Sequence, residues 1–256
     1  MTQQRKYGWK PDLPDQRDHA FKVRRAARLP AKADLRAYCP AVYDQGQLGS
    51  CTAHAAAAAY AIDLARQGMA AVAPSRLKLY YDERVRDGTV RQDAGSYLRT
   101  AAKVLGKDGV CEESLWPYVE AKFASKPPAP AYAASKAHTA TSYQRLDTGT
   151  PASLLTALRQ CLAGGSPAIF GFSVYESFES DKVARTGVVP LPSAKEALLG
   201  GHAVAAVGYD DAKKRFLVRN SWGPDWGVGG YCWMPYAYLT DPNLAEDFWQ
   251  ITTVSG

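Results

Sequence analysis

The chain has 256 residues, 46% of them hydrophobic and 22% charged, with a formal net charge of +6 and five cysteines. That is ordinary for a soluble globular protein, with room for one large domain or two small ones sharing a cleft. No stretch approaches the roughly 18 apolar residues of a membrane span, and the basic residues are scattered among acidic ones. The tightest basic run is KVRR at 22–25, so the charge reads as a solvated surface and not as a nucleic-acid face.

Residues 1–28 differ from the rest. They are rich in Pro, Asp, Arg and Lys, with Tyr7, Trp9 and Phe21 as the main large apolar groups. They cannot make a core alone and read as an extended N-terminal arm. They contain no apolar signal-peptide core, so the expected compartment is the cytoplasm by default, with export by another route left open.

From Thr52 to Gln67 the alanine-rich pattern predicts a helix, stopped by Gly68. So much alanine implies close neighbours and a central, buried position. A second helix is expected from about Ser75 to Asp87 and a third from Ser96 to Leu105. The proline-rich stretch 126–146 reads as a surface connection and domain crossover. A fourth helix follows, with Thr150 as cap, Pro151 at its first position and Gly164 as its stop. Leu154, Leu155, Leu158, Cys161 and Leu162 share one face of it.

Beyond this point the period changes. PAIFGFSV, HAVAAVGYD, RFLVRNSW and GGYCWMPY are short strand-like runs divided by Gly, Pro and Asp. The chain therefore reads as α+β: a mainly helical half over about 39–135, a mainly β half over about 140–250, and a cleft between them.

The stretch DQGQLGSCTAHAAAAA puts Cys51 where a glycine-containing turn becomes a helix. Unpaired N–H groups converge there and the helix dipole is positive, which stabilises a thiolate. A thiol nucleophile needs a base, an orienting group and oxyanion donors. Of the four histidines, His19 lies in the arm, His138 in the connection, and His54 among alanines that suggest packing. His202 opens an apolar run directly after two glycines, where a strand can project it into a cleft. Asn220 follows, and its carbonyl oxygen can orient an imidazole. The other cysteines, Cys39, Cys111, Cys161 and Cys232, permit three full pairings or none at all.

QGQLGSC, GHAVAAVGYD and NSWGPDWGVGGY, in that order, resemble the papain-like cysteine peptidases, and within them the shorter bacterial branch. The resemblance spans roughly 29–250 and implies a papain-like two-subdomain fold with the active-site cleft between the halves. It implies Cys51 as nucleophile, His202 as base, Asn220 as the residue orienting His202, Trp222 as the shield of that bond, and Gln45 as oxyanion donor. It makes Asp93, Ala94 and Gly95 the substrate-strand segment, with the backbone near Gly95 pairing an extended peptide. Tyr97, Gly200 and Ala203 would line the pocket for the second residue before the cut, with a floor near Asp247 and an apolar or aromatic preference, and Gly201 is a further substrate-binding residue.

Three departures stand out: Leu48 replaces a half-cystine, Thr52 the usual Trp, and Gly201 an Asp or Asn. The implied activity is that of an endopeptidase working through a thioester acyl-enzyme. Its implied partners are extended peptides or proteins, with no cofactor, metal, nucleic acid or membrane. The arm is too short to be a folding propeptide, and is expected to act as a latch that lays Tyr7, Trp9 and Pro11 into or beside the cleft. The competing readings are an acyltransferase or deamidase, and a peptide-binding module without catalysis.

Overall fold

The computed structural model describes residues 5–24 and 28–253. The alanine run forms helix α1 (Cys51–Arg66), in which every residue from Cys51 to Leu64 is buried. Small side chains all round let α1 pack against α2 (Arg76–Arg86) and α3 (Leu98–Lys107) as well as against the sheet. Helix α2 starts at Ser75, whose hydroxyl accepts from the Lys78 N–H, as an N-cap should.

The strand-like runs pair into one antiparallel sheet. Its members are β1 (Lys32–Asp34), β2 (Ser142–Arg145), β3 (Ala168–Tyr175), β4 (Leu198–Asp210), β5 (Arg215–Arg219), β6 (Tyr231–Pro235) and β7 (Ala245–Thr252). The order is β2-β7-β3-β4-β5-β6, with β1 added to β4. Strand β4 is nearly all buried beyond Gly201, which explains its continuous apolar run. Between the sheet's flanks and α5 (Pro151–Ala163), Leu154, Leu158, Cys161 and Leu162 are buried. Leu155, expected on the same face, is only partly buried.

The stretch 126–146 departs from its reading as a plain surface connection. It contains α4 (Ala129–Ser135), which follows Pro128 and carries a proline in its first turn. It also contains β2, which pairs with β7 in the register Ser142↔Thr252 to Arg145↔Trp249. Proline marks the start of structure here, not its absence. Two short helices, α6 (Asp181–Thr186) and α7 (Tyr236–Thr240), complete the chain order.

All five cysteines are free thiols, so of the readings open to the sequence the unpaired one holds. No helix among the described residues is long and apolar enough to cross a membrane.

Candidate active site

Cys51 is the first residue of α1 and is fully buried. The backbone N–H groups of Ala203, Gly8 and Thr52 face its sulfur. Ala203 follows His202 in β4, so the sheet brings the histidine's strand against the start of the helix. His202 Nε2 lies 2.8 Å from Asn220 Oδ1. An amide oxygen only accepts, so Nε2 carries the proton and Nδ1 is left with a lone pair. That Nδ1 is buried and has no hydrogen-bond partner. Trp222 stacks on the imidazole at 5.0 Å between ring centres, tilted by 25°, and Phe172 meets its edge at 5.7 Å. The ring is thus fixed in plane and tautomer, with one basic nitrogen free.

Gln45 is held on every side. Its backbone N–H donates to Ser221 O at 2.9 Å, its Oε1 accepts from Ser221 Oγ at 2.7 Å, and its Nε2 donates to Leu48 O at 2.9 Å. The remaining Nε2 bond, at 3.3 Å, goes to the carbonyl of Lys6 in the arm. An amide donor locked in this way resembles a preorganised oxyanion donor.

The arm runs through the cleft. Gly8 O accepts from Ser96 N at 2.8 Å, Lys10 N donates to Ser96 O at 3.0 Å, and Trp9 N donates to Gly201 O at 3.1 Å. The fit depends on glycine. A Cβ on Gly8 would lie 1.8 Å from Gly49 O, and one on Gly95 would lie 1.9 Å from Gly8 O. Beyond the cleft the arm ends in buried charge. Asp12 Oδ2 accepts from Trp249 Nε1 at 3.1 Å, Asp18 pairs with Arg99 at 2.7 Å, and Arg145 pairs with Asp247 at 2.9 Å.

Burial reverses the protonation expected from the helix start alone. Burial pushes the Cys51 thiol up to about 11, against the pull of the three N–H groups. Burial pushes His202 down to about 4, with the Asn220 bond opposing it and the Arg5 charge adding to it. The pair is therefore neutral thiol and neutral imidazole while the arm is seated, because water is excluded from both.

The remaining site residues fall out as follows. Asp93 accepts from Gly49 N at 3.0 Å and from Tyr80 Oη at 2.5 Å, and pairs with Lys6 at 2.5 Å. Ala94 beside it is half-buried. Near Gly95 the arm pairs with the backbone of Ser96, and Gly95 N is itself bonded to Tyr80 Oη at 3.1 Å. Tyr97 lies under the Lys10 ammonium at 5.6 Å, and Gly200 lies against the Tyr7 ring.

His54 is the packed histidine expected of it: its Nδ1 lies 2.9 Å from Ser50 O, and burial, then the Arg76 charge, pushes it down to about 3. Thr52, standing where the family has Trp, donates its hydroxyl to buried Glu83 at 2.6 Å. The cluster of buried Asp12, Arg99 and Asp247 with half-buried Asp18 and Arg145 escapes sequence reading, apart from a pocket floor near Asp247. Its members are far apart in the chain and carry no spacing signal.

Residues 29–246 match the family described as Papain family cysteine protease. The chain belongs to this family. It is thus a papain-like cysteine peptidase, a hydrolase, with the α+β fold of that family. The crystal structure of xylellain, a cysteine protease from Xylella fastidiosa, superposes with a TM-score of 0.90 at 40% identity, covering 100% of both chains. The resemblance to the short bacterial branch holds on that comparison. An uncharacterized peptidase C1-like protein, L477, of Acanthamoeba polyphaga mimivirus is 41% identical over 243 residues, 93% of this chain and 76% of its own length. Cathepsin B-like CP3 of Giardia intestinalis is 30% identical over 216 residues, 80% of this chain and 69% of its own.

Proposed function

We propose that the protein is an endopeptidase that works through a thioester on Cys51 and is held latent by its own N-terminal arm. The observation that carries the chemistry is His202: its Nε2 proton is committed to Asn220 and its Nδ1 is free. With a peptide in place of the arm, Cys51 Sγ passes its proton to His202 Nδ1 and attacks the carbonyl carbon. The oxyanion takes the Cys51 N–H and the Gln45 Nε2–H. As the intermediate collapses, the C–N bond breaks and His202 returns the proton to the leaving amine. Water, deprotonated by His202, then attacks the thioester, releasing the acid and the thiol.

The latch reading rests on which group meets the sulfur. Among the arm's groups it is the Gly8 N–H, and Lys6 O takes the Gln45 amide that an oxyanion needs. A seated arm therefore occupies both the nucleophile and its oxyanion donor. Five free thiols favour a reducing compartment such as the cytoplasm.

The test is hydrolysis of fluorogenic dipeptides, with products identified by mass spectrometry. Free acid as product is expected, with turnover abolished in Cys51→Ala and kcat lowered roughly 10²–10³-fold in Gln45→Ala. A transferred acyl group in place of free acid, or turnover that survives Cys51→Ala, would overturn the reading.

A further inference from the structure

Trp9 marks the chemistry of the pocket a substrate must fill once the arm leaves. Its ring lies where two β-strand glycines leave room: a Cβ on Gly171 would be 1.9 Å from Trp9 Cε2, and one on Gly201 would be 2.7 Å from Cε3. The pocket is therefore deep enough for a bicyclic side chain, and Trp9 is buried in it, 8% exposed. At its inner end is a carboxylate and not an apolar wall. Trp9 Nε1 donates to Asp247 Oδ2 at 3.1 Å, and the Asp12 N–H donates to the same oxygen at 2.7 Å. Asp247 is completely buried. Its φ of +59° is a left-handed conformation that Asp adopts more readily than branched apolar residues.

Among the described residues, both donors to Asp247 Oδ2 belong to the arm. The other oxygen, Oδ1, is held by Arg145 at 2.9 Å. Departure of the arm leaves a buried acceptor without its partners, which is unfavourable unless the incoming side chain replaces them. Phe or Leu would fill the space and leave Oδ2 unpaired. A guanidinium would meet Arg145 beside the carboxylate and Arg99, which loses its Asp18 partner when the arm goes. A neutral N–H on a flat apolar body meets neither difficulty.

Resting on the peptidase reading above, we propose that Asp247 is a specificity-determining residue. It selects substrates whose side chain in the Trp9 pocket carries a neutral N–H donor on a bicyclic body, tryptophan before all others. This sharpens the general apolar or aromatic preference expected from the sequence into a requirement for one hydrogen bond.

Fluorogenic peptides that differ only at the second residue before the cut test it: tryptophan, its isostere 3-benzothienylalanine, which has sulfur in place of N–H, phenylalanine, and arginine. The full chain serves, because latching scales all peptides alike and cancels in ratios of kcat/KM. Tryptophan is expected to exceed the benzothienyl peptide roughly tenfold or more, with arginine and phenylalanine also below it. In Asp247→Gly, which keeps the left-handed backbone, that ratio should fall to near one, and in Asp247→Asn to an intermediate value. Equal rates for tryptophan and its isostere in the unsubstituted enzyme, or arginine as the best residue, would overturn the proposal. No turnover of any peptide would overturn the peptidase reading first, and the selectivity with it.

Discussion

The arm meets the body at two places of opposite chemistry. Over Cys51, residues 6–10 make mainly backbone and aromatic contacts: backbone bonds to Ser96 and Gly201, an indole in a pocket, a glycine N–H on sulfur, with Lys6 paired to Asp93 at the edge. Further along, Asp12 and Asp18 enter a buried set of charges with Arg99, Arg145 and Asp247. On the latch reading proposed above, the first region sets what is blocked, since it lies over Cys51 and occupies Gln45, and the second sets when, because burial raises Asp12 to about 7.

Removing the indole, which fills the pocket of the first region and reaches Asp247 of the second, should have the largest effect. Trp9→Ala deletes a buried aromatic, a change that costs about 3–5 kcal/mol in a core. Part of that falls on docking, so activity of the full chain is expected to rise by tens of fold toward that of a chain without the arm. Unchanged latency would mean that the charged region alone seats the arm.

Substituting Asp12 should act on the second region. Burial, then the Asp247 charge, raises Asp12 from 3.8 to about 7, with Arg99 and the Trp249 N–H opposing; Arg145 also stands 3.8 Å away. A group raised in the docked state takes up a proton on docking. Docking is therefore strongest below about pH 4 and weakens as pH rises through about 7. Latency, read as the activity ratio of arm-deleted to full chain, should fall several-fold between pH 5.5 and 8.5. Asp12→Asn should flatten that slope, and a slope of the opposite sign would contradict the assignment.

The smallest effect is expected from Tyr7→Phe. It removes the hydroxyl bonded to Glu179 and keeps the ring at the edge of His202, 6.3 Å between centres. The contact is partly exposed, so a rise in activity of about two- to fivefold is expected, in line with one hydrogen bond.

Much of this was readable from local chemistry. Alanine content gave a buried α1, and the glycine-containing turn before it placed Cys51 at the helix start. A histidine at the head of a strand followed by an asparagine gave the His202–Asn220 pair. What was not readable depends on chain segments meeting at a distance. The bond of Gly95 N to Tyr80 Oη joins residues 15 apart and carries no local signal. Prolines at 128 and 130 open a helix because alanines follow them. The raised thiol of Cys51 follows from its burial among distant segments, which no property of residues 44–59 contains.

Alkylation of Cys51 by an epoxide peptide inhibitor, in the full chain and in a chain lacking residues 1–28, tests the central claim most directly. Burial raises the Cys51 thiol to about 11, so uncovering it should raise the thiolate fraction at neutral pH, and with it the labelling rate, by roughly tenfold or more. The predicted result is stoichiometric labelling of Cys51 alone, faster by about that factor without the arm. Equal rates in the two chains, or label on another cysteine, would contradict the account.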